Sequence, residues 1–152
     1  MKTFALRKKV LIQRVAHASV VVDGETIGNI ERGILALIGI EKHDTPDILQ
    51  RMADKILRYR IFPDDDGKMN LSTQDIQGGV LAISQFTLAA DTQKGLRPSF
   101  SAAAPPADAE ALYDRFMAIL REQHPHVAAG RFGADMKVSL LNDGPVTFAL
   151  SM

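Results

Sequence analysis

The sequence predicts one α/β domain in which two helices cover one side of β-sheets. Apolar, β-rich segments lie near both ends of the chain, and two segments with apolar residues at helical spacing lie between them. No repeat, linker or low-complexity stretch divides the 152 residues, a length that suits a single domain. Helices enclosed by strands in this way are typical of a layered domain with a shared core.

The N-terminal part of the chain predicts a β-hairpin followed by a buried strand. Two β-rich segments lie within residues 10–22, and residues 26–30 follow the pair Asp23-Gly24. This pair suits a type I′ turn, because both residues accept positive φ. Residues 33–40 are almost continuously apolar, which indicates a strand covered on both faces.

The first helix is predicted to begin after Thr45 and to end near residues 58–60. Thr45 can cap the helix, Pro46 suits its first position, and Asp47 complements the helix dipole. The apolar stripe indicates core packing and comprises Ile48, Leu49, Met52, Ala53, Ile56 and Leu57.

Residues 63–68 predict an exposed acidic turn. Residues 64–67 resemble part of an EF-hand calcium loop, but that loop would need an oxygen ligand where Phe62 stands and a glutamate where Thr73 stands. We therefore expect no calcium site here.

The second helix is predicted from the pair Pro105-Pro106 to about Glu122. Its core-facing stripe consists of Leu112, Phe116, Ile119 and Leu120. Three β-rich segments follow, at residues 126–129, 137–141 and 146–150, with a turn predicted at residues 142–145.

Composition narrows the classes of function. Eighteen basic and eighteen acidic residues give zero net charge, whereas proteins that coat nucleic acid by charge are strongly basic. Any contact with nucleic acid must therefore be confined to a few residues, and composition alone favours a protein that does not bind nucleic acid. The absence of cysteine excludes a disulfide framework, a thiolate nucleophile and a cysteine zinc site.

Nothing in the sequence indicates export or membrane insertion. The apolar segment after the basic N-terminus spans only residues 10–12, too short for a signal-peptide core. No window approaches the roughly 20 apolar residues of a membrane-spanning helix. We expect a cytoplasmic protein without a membrane partner.

Standard catalytic and metal-binding motifs are absent. His124 and His126 lack a third ligand, and we expect them in a surface loop rather than at a metal. His17 and His43 stand alone and are interpreted as structural or solvated. The sequence therefore predicts neither a metal nor a cofactor.

Two segments carry polar groups where their surroundings predict few. The first lies in the apolar segment 79–88, where Ser84 and Gln85 would point to opposite faces of a strand and Thr87 would share the face of Gln85. Buried polar groups need partners, so these residues either hydrogen-bond neighbouring backbone or form a site. The sequence favours neither alternative.

The second unusual segment spans residues 142–147. Pro145 cannot complete a strand ladder and marks an edge or a turn, and an ordinary turn is the simpler interpretation. A cis bond between Gly144 and Pro145 is possible, although only ~5–6% of X–Pro bonds in folded proteins are cis.

The two segments resemble the signature motifs of the D-aminoacyl-tRNA deacylase family, SQFTL at residues 84–88 and NDGPVT at residues 142–147. Further matches lie at residues 13–15, 68–71, 97–101, 104–106 and 130–136. The resemblance covers nearly the whole chain, so we expect one domain over residues 1–152 with residues 1–7 as an N-terminal extension.

The resemblance implies a three-layer β/β/α fold and a homodimer with two active sites at the subunit interface. It implies a substrate with a D-amino acid esterified to the 3′-terminal adenosine of tRNA, and it adds no cofactor, membrane or DNA partner. The reaction would be hydrolysis of the ester, releasing free D-amino acid and tRNA.

The resemblance also implies roles for individual residues. A cis Gly144–Pro145 bond would reach into the partner subunit's site, with main-chain carbonyls beside the substrate's α-amino group, and Arg14 would hold that loop. Near the scissile ester it places Ser84, Gln85, Phe86 and Thr87. The residues expected to bind substrate or select its chirality also include Asn142, Val146, Thr147 and Met136.

Physical reasoning agrees with a main-chain filter for chirality. An apolar pocket gains only ~1–3 kcal/mol per methylene, so selection by side-chain fit would be weak and would vary with the amino acid. A fixed backbone wall excludes every L-amino acid alike. Glycine has no side chain to exclude, so we expect glycyl-tRNA to be hydrolysed as well.

The nucleophile remains open between two mechanisms. Thr87 would need a base, and the only carboxylate close in sequence is Asp91. The family resemblance instead implies help from the ribose 2′-OH and an oxyanion site of backbone N–H groups near Phe86, which we favour.

Two other functions stay as alternatives: a Thr87-dependent esterase or peptidase acting on free D-amino acid derivatives, and a non-catalytic dimer that binds tRNA ends.

Overall fold

The computed structural model describes residues 8–41, 43–90, 92–93, 95–100 and 104–152, so the predicted extension at residues 1–7 lies outside the described residues. Its elements in chain order are β1 Lys8–Val22, β2 Glu25–Ile30, β3 Gly33–Ile38, α1 Pro46–Arg58, β4 Arg60–Pro63, β5 Met69–Ser72, β6 Gly79–Ser84, a short 3-10 helix Phe86–Ala89, α2 Pro106–Gln123, β7 Val127–Ala129 and β8 Lys137–Ser151. The predicted α/β domain with two helices is confirmed.

A single long strand, β1, organises the main sheet. The two β-rich segments within residues 10–22 are one strand, and it pairs antiparallel with β2, β3 and β8. The predicted tight turn after it is confirmed, because Asp23 and Gly24 have φ values of 50° and 79°. Beyond β3 the sheet continues through β6 to β7 with parallel pairing.

Strand β3 is covered on both faces, as its apolar run predicts. Ile34 and Ala36 belong to a core cluster that includes the buried side chains of both helices. Leu35 points the other way, into a second cluster built from residues of β1, β2, β3 and β6. The helices therefore cover one face of β3. Side chains from the neighbouring strands β1, β2 and β6 pack together on the other face.

At the beginning of β3 and β6 the two main chains come unusually close. Gly33 is paired with Gly79 in the parallel ladder. A Cβ atom on Gly33 would overlap the main chain of Gly79, and one on Gly79 would lie 2.8 Å from Cβ of Ile30. Only glycine fits at this crossing.

The first helix begins and ends as predicted. Thr45 Oγ1 accepts a hydrogen bond of 3.4 Å from the N–H of Ile48, and Pro46 occupies the first turn. Five residues of the predicted stripe are buried: Leu49, Met52, Ala53, Ile56 and Leu57. The second helix extends one residue beyond its predicted end.

The acidic turn joins two short strands, β4 and β5, that the sequence did not reveal. Asp64 organises the turn: Oδ1 accepts hydrogen bonds from the N–H groups of Asp66 and Lys68, and Oδ2 accepts one from Asn70. These hydrogen bonds lower the pKa of Asp64, and the bond from the Asn70 side chain has the largest effect. No group of three potential metal-binding side chains occurs within the part of the chain that the structure describes.

Two predicted boundaries near the signature segments are wrong. Strand β6 ends at Ser84 and a 3-10 helix follows, so Gln85 and Thr87 do not lie on one face of a strand as predicted. The turn predicted at residues 142–145 is a bulge within β8, whose two halves both pair with β1. Because β1 is long enough to pair with both, the chain does not reverse at Pro145.

The prediction of a surface position for His124 is also wrong. Its side chain is buried, and Nε2 lies 2.6 Å from the main-chain oxygen of Gly78, whereas Nδ1 has no partner. His126 is exposed, as are His17 and His43.

Within the described ranges, neither helix is long and apolar enough to cross a membrane.

Candidate active site

A cavity of about 450 Å³ opens at the carboxyl ends of β3 and β6. Parallel strands bring these ends to one edge of the sheet, the usual place for a ligand site in α/β proteins. The start of α2 and the segment between β7 and β8 complete its walls. Its lining residues are Ile38, Ile40, Ile83, Ser84, Gln85, Phe86, Ala104, Pro106, Ala109, Phe132, Gly133, Ala134, Asp135, Met136 and Val138.

The first signature segment turns sharply at the cavity. The N–H of Gln85 donates a 2.7 Å hydrogen bond to the main-chain oxygen of Ile38, which joins the ends of β6 and β3. The Gln85 side-chain amide donates a short hydrogen bond to Thr87 Oγ1. Ser84, Gln85 and Phe86 line the cavity, and Thr87 is exposed beside it.

Aromatic rings stand at the mouth and on the wall of this cavity. The Phe86 side chain is 63% exposed, and its ring centroid lies 5.3 Å from that of Phe100, which is 40% exposed. On the wall, the Phe132 ring lies 5.9 Å from that of Tyr113. Met136 was identified from the sequence, but Phe132 was missed. Phe132 is an aromatic residue within the segment 130–136, which resembles the family, and this could have marked it as a candidate.

Tyr113 supports the wall rather than the chemistry. Its hydroxyl donates a 3.2 Å hydrogen bond to the main-chain oxygen of Ala82, two residues before Ser84. Burial raises the pKa of Tyr113 to about 12, so the phenol stays neutral at physiological pH.

Charge at the rim is partly balanced. The Asp135 carboxylate lies 3.1 Å from the Lys137 ammonium, and both side chains are largely exposed. Such a pair contributes little stability, typically under about 1 kcal/mol. It does reduce the repulsion that Asp135 alone would exert on an anionic ligand.

The second signature segment forms a braced corner in β8. The Gly144–Pro145 bond is cis. The Asn142 side chain holds the far end of the corner, with Oδ1 accepting a 2.8 Å hydrogen bond from the N–H of Val146 and Nδ2 donating a 3.0 Å bond to Thr147 Oγ1. Val146 is buried, so it anchors the corner in the core.

Arg14 holds the near end of the corner. Its Nε donates a 2.9 Å hydrogen bond to the main-chain oxygen of Asp143, and Nη1 donates a 2.7 Å bond to that of Ile61. The guanidinium also lies 3.8 Å from the Asp143 carboxylate. The corner is thereby tied to β1 and to β4.

Gly144 cannot be replaced without strain. Its φ is 150°, a conformation that L-residues rarely adopt. A Cβ atom there would lie 2.8 Å from the Val146 nitrogen and 3.3 Å from Arg14 Nη2. Gly144 and Pro145 themselves are exposed.

The structure brings some of the predicted site residues together and leaves others apart. Ser84, Gln85, Phe86 and Met136 line one cavity, with Thr87 beside them. Among the described residues, none of positions 142–147 lines that cavity, and neither does Arg14. Within one chain, the exposed corner and the cavity are therefore separate features.

Comparison with known proteins identifies the chain's relatives. The model of a family described as D-Tyr-tRNA(Tyr) deacylase matches residues 11–151. A D-aminoacyl-tRNA deacylase of Saccharophagus degradans is 69% identical over 144 residues, which cover 95% of this chain and 99% of that relative. A D-aminoacyl-tRNA deacylase of Teredinibacter turnerae is 67% identical over 142 residues, covering 93% and 98%.

Solved structures share the fold. A c-Myc DNA unwinding element binding protein is 44% identical and superposes with a TM-score of 0.90 over 93% of this chain and 97% of its own. A probable eukaryotic D-amino acid tRNA deacylase is 17% identical, with a TM-score of 0.84 over 95% and 98%, and shows likeness of fold alone. The family match and the identities over almost the full length show that this chain belongs to the D-Tyr-tRNA(Tyr) deacylase family.

Proposed function

We propose that this protein hydrolyses the ester bond of D-aminoacyl-tRNA, releasing free D-amino acid and tRNA. The observation that carries the proposal is the cavity at the carboxyl ends of β3 and β6, lined by Ser84, Gln85 and Phe86, which lie within the residues that the family model matches. Its volume of about 450 Å³ lies in the range of ordinary small-molecule sites. Such a cavity accommodates a terminal nucleoside together with its amino acid.

The proposed active unit is a homodimer. Gly144 and Pro145 are exposed and do not line the cavity of their own chain. A second copy can present the same corner to that cavity, as the family resemblance implies. Leu141, close to the corner on β8, is 53% exposed and offers apolar surface for such a contact.

Chiral selection is assigned to the main chain of the corner. Arg14 and Asn142 fix the backbone on both sides of Gly144–Pro145, so a wall built from it has little freedom to yield. A wall of backbone excludes L-amino acids whatever their side chain, which fit in an apolar pocket would not achieve. Glycyl-tRNA, which has no side chain to exclude, is a further proposed substrate.

The chemical step is assigned to water activated with the help of the ribose 2′-OH. Water attacks the carbonyl carbon and the bond to the ribose oxygen breaks, returning the proton to the tRNA hydroxyl. The N–H groups of Phe86 and Thr87 stand at the start of the 3-10 helix, where they have no partner within the helix and can receive the developing oxyanion. The partner of Thr87 Oγ1 is the Gln85 amide, which cannot act as a base, and Asp91 lies outside the described residues.

The decisive experiment is deacylation of matched D- and L-tyrosyl-tRNA by the purified protein. We expect the D-ester to be cleared and the L-ester to be spared, with glycyl-tRNA cleared as well. Turnover of free D-tyrosine esters as fast as of the tRNA ester would favour a general esterase. Binding of tRNA without hydrolysis of either ester would favour a non-catalytic dimer.

A further inference from the structure

We propose that Phe86 and Phe100 form a stacking subsite for the nucleobase that precedes the terminal adenosine of the substrate. This inference rests on the proposed function and extends it from one nucleotide to two. It concerns the outside of the cavity mouth, where the polynucleotide must leave.

The dimensions of the cavity place the second nucleotide outside it. A volume of about 450 Å³ is of the size needed for one nucleoside and its amino acid, so we place the preceding nucleotide outside the cavity. The phosphodiester chain continues from the ribose that carries the ester. The next base therefore lies against whatever surface borders the mouth.

Two exposed aromatic rings border that mouth. Phe86 lines the cavity and is 63% exposed, and Phe100 is 40% exposed with its ring centroid 5.3 Å away at an interplanar angle of 47°. Leu96, on the same segment as Phe100, is fully exposed. Unpaired bases of RNA ends are commonly recognised by stacking on aromatic side chains, and such stacking tolerates every base.

Positive charge near the mouth suits the phosphate that would accompany this base. Arg97 is exposed three residues before Phe100, and Arg131 is exposed immediately before the wall residue Phe132. Neither guanidinium forms an ion pair with a described residue. The Asp135 carboxylate is already paired with Lys137. A single-stranded nucleotide fits this combination of exposed rings and unpaired cations better than an apolar peptide does.

The test compares two small substrates, D-tyrosyl-adenosine and the D-tyrosyl ester of the dinucleotide cytidylyl-adenosine. For the intact protein we expect kcat/KM to be about tenfold higher for the dinucleotide ester, the scale of one stacked base. Phe100→Ala removes this gain through KM and leaves hydrolysis of the adenosine ester unchanged. Phe100→Trp restores the gain, because the stacking surface returns.

Each outcome has a distinct meaning. If neither ester is hydrolysed, the proposed function itself fails. If the intact protein hydrolyses both esters equally, the second subsite does not exist although the deacylase stands. If Phe100→Ala slows both esters alike, or alters the oligomeric state, Phe100 supports the cavity or a contact between copies, and the proposed subsite is overturned.

A dinucleotide ester with an abasic 5′ residue separates the base from its phosphate. We expect it to lose most of the dinucleotide gain in the intact protein and to be insensitive to Phe100→Ala. Undiminished gain with the abasic ester would assign the effect to Arg97 and Arg131, and would contradict stacking.

Discussion

Arg14 donates a 2.9 Å hydrogen bond from Nε to the main-chain oxygen of Asp143, the residue before the exposed Gly144–Pro145 corner. The same guanidinium reaches Ile61 on β4, so one side chain ties the corner to two strands. The position of the corner therefore depends on a residue that does not line the cavity beside Ser84.

Replacing Arg14 with lysine should loosen the corner and weaken chiral selection. Lysine lacks the planar fork that serves both carbonyls, and the lost charged hydrogen bonds are worth roughly 1.5–3 kcal/mol. We expect a comparable drop in the free energy of unfolding and a rise in hydrolysis of L-tyrosyl-tRNA relative to D-tyrosyl-tRNA. Arg51→Lys, on the exposed side of α1, is the matched control and should change neither quantity.

Gly144→Ala should damage the corner more than its size suggests. The added Cβ would meet the Val146 nitrogen at 2.8 Å while φ stays near 150°, a strain of roughly 1–3 kcal/mol. D-tyrosyl-tRNA turnover and the discrimination between enantiomers should both fall. Gly24→Ala is the control, because φ is positive there too but nothing beyond its own chain neighbours lies within 4 Å of the new Cβ. A variant at Gly144 with native selectivity would contradict the role of the corner.

Thr87→Ala should keep most of the turnover. The variant loses one hydrogen bond, worth about 0.5–1.5 kcal/mol, so we expect the single-turnover rate to stay within about tenfold of the native rate. Thr87→Ser, which retains the hydroxyl, serves for comparison. Complete loss of hydrolysis by a folded alanine variant that still binds substrate would identify Thr87 as the nucleophile.

His124→Leu should destabilise the protein without touching the site. It removes the partner of the buried Gly78 carbonyl, which costs roughly 1–3 kcal/mol. His126→Leu, at an exposed position two residues away, should change the free energy of unfolding by less than about 0.5 kcal/mol. Urea unfolding of the two variants measures the contrast, and equal effects would mean that the Gly78 contact contributes nothing.

Alkaline solution should weaken the fold through Tyr113. Burial raises its pKa to about 12, above the usual value of 10.0. The neutral buried phenol thus stabilises the protein fully below pH 10, and this contribution is lost as the pH rises towards 12. Unfolding free energies measured between pH 9 and pH 12 should decline less steeply for Tyr113→Phe. Identical slopes would show that the phenol is ionised equally easily in both states.

Local sequence patterns were sufficient for most of the fold. Thr45 and Pro46 marked the start of the first helix, and Asp23-Gly24 marked a tight turn, because capping and turn preferences act within a few residues. The continuity of β8 through Pro145 was not visible, since it depends on pairing with β1, more than a hundred residues away in sequence. The short β4–β5 hairpin carries too few apolar residues to show a period.

The candidate site was predictable only where its residues form a local sequence pattern. Ser84 ends a conspicuous buried strand, and Gln85 and Phe86 follow it; the sequence predicted that these residues lie together, and all three line the cavity. The aromatic wall of Phe132 and Tyr113 assembles from distant segments and leaves no local pattern. The separation of Gly144 from the cavity is likewise a matter of tertiary geometry.

The close crossing of Gly33 and Gly79 limits which substitutions the fold tolerates. It stands at the opposite end of β3 and β6 from the cavity, and six-residue strands at about 3.3 Å per residue put roughly 17 Å between the two. Any larger side chain at the crossing would force apart two strands whose parallel pairing continues to Ile38 and Ser84. Substitution is thus restricted at a point distant from the cavity, where even one added methyl group would disrupt the pairing of β3 and β6.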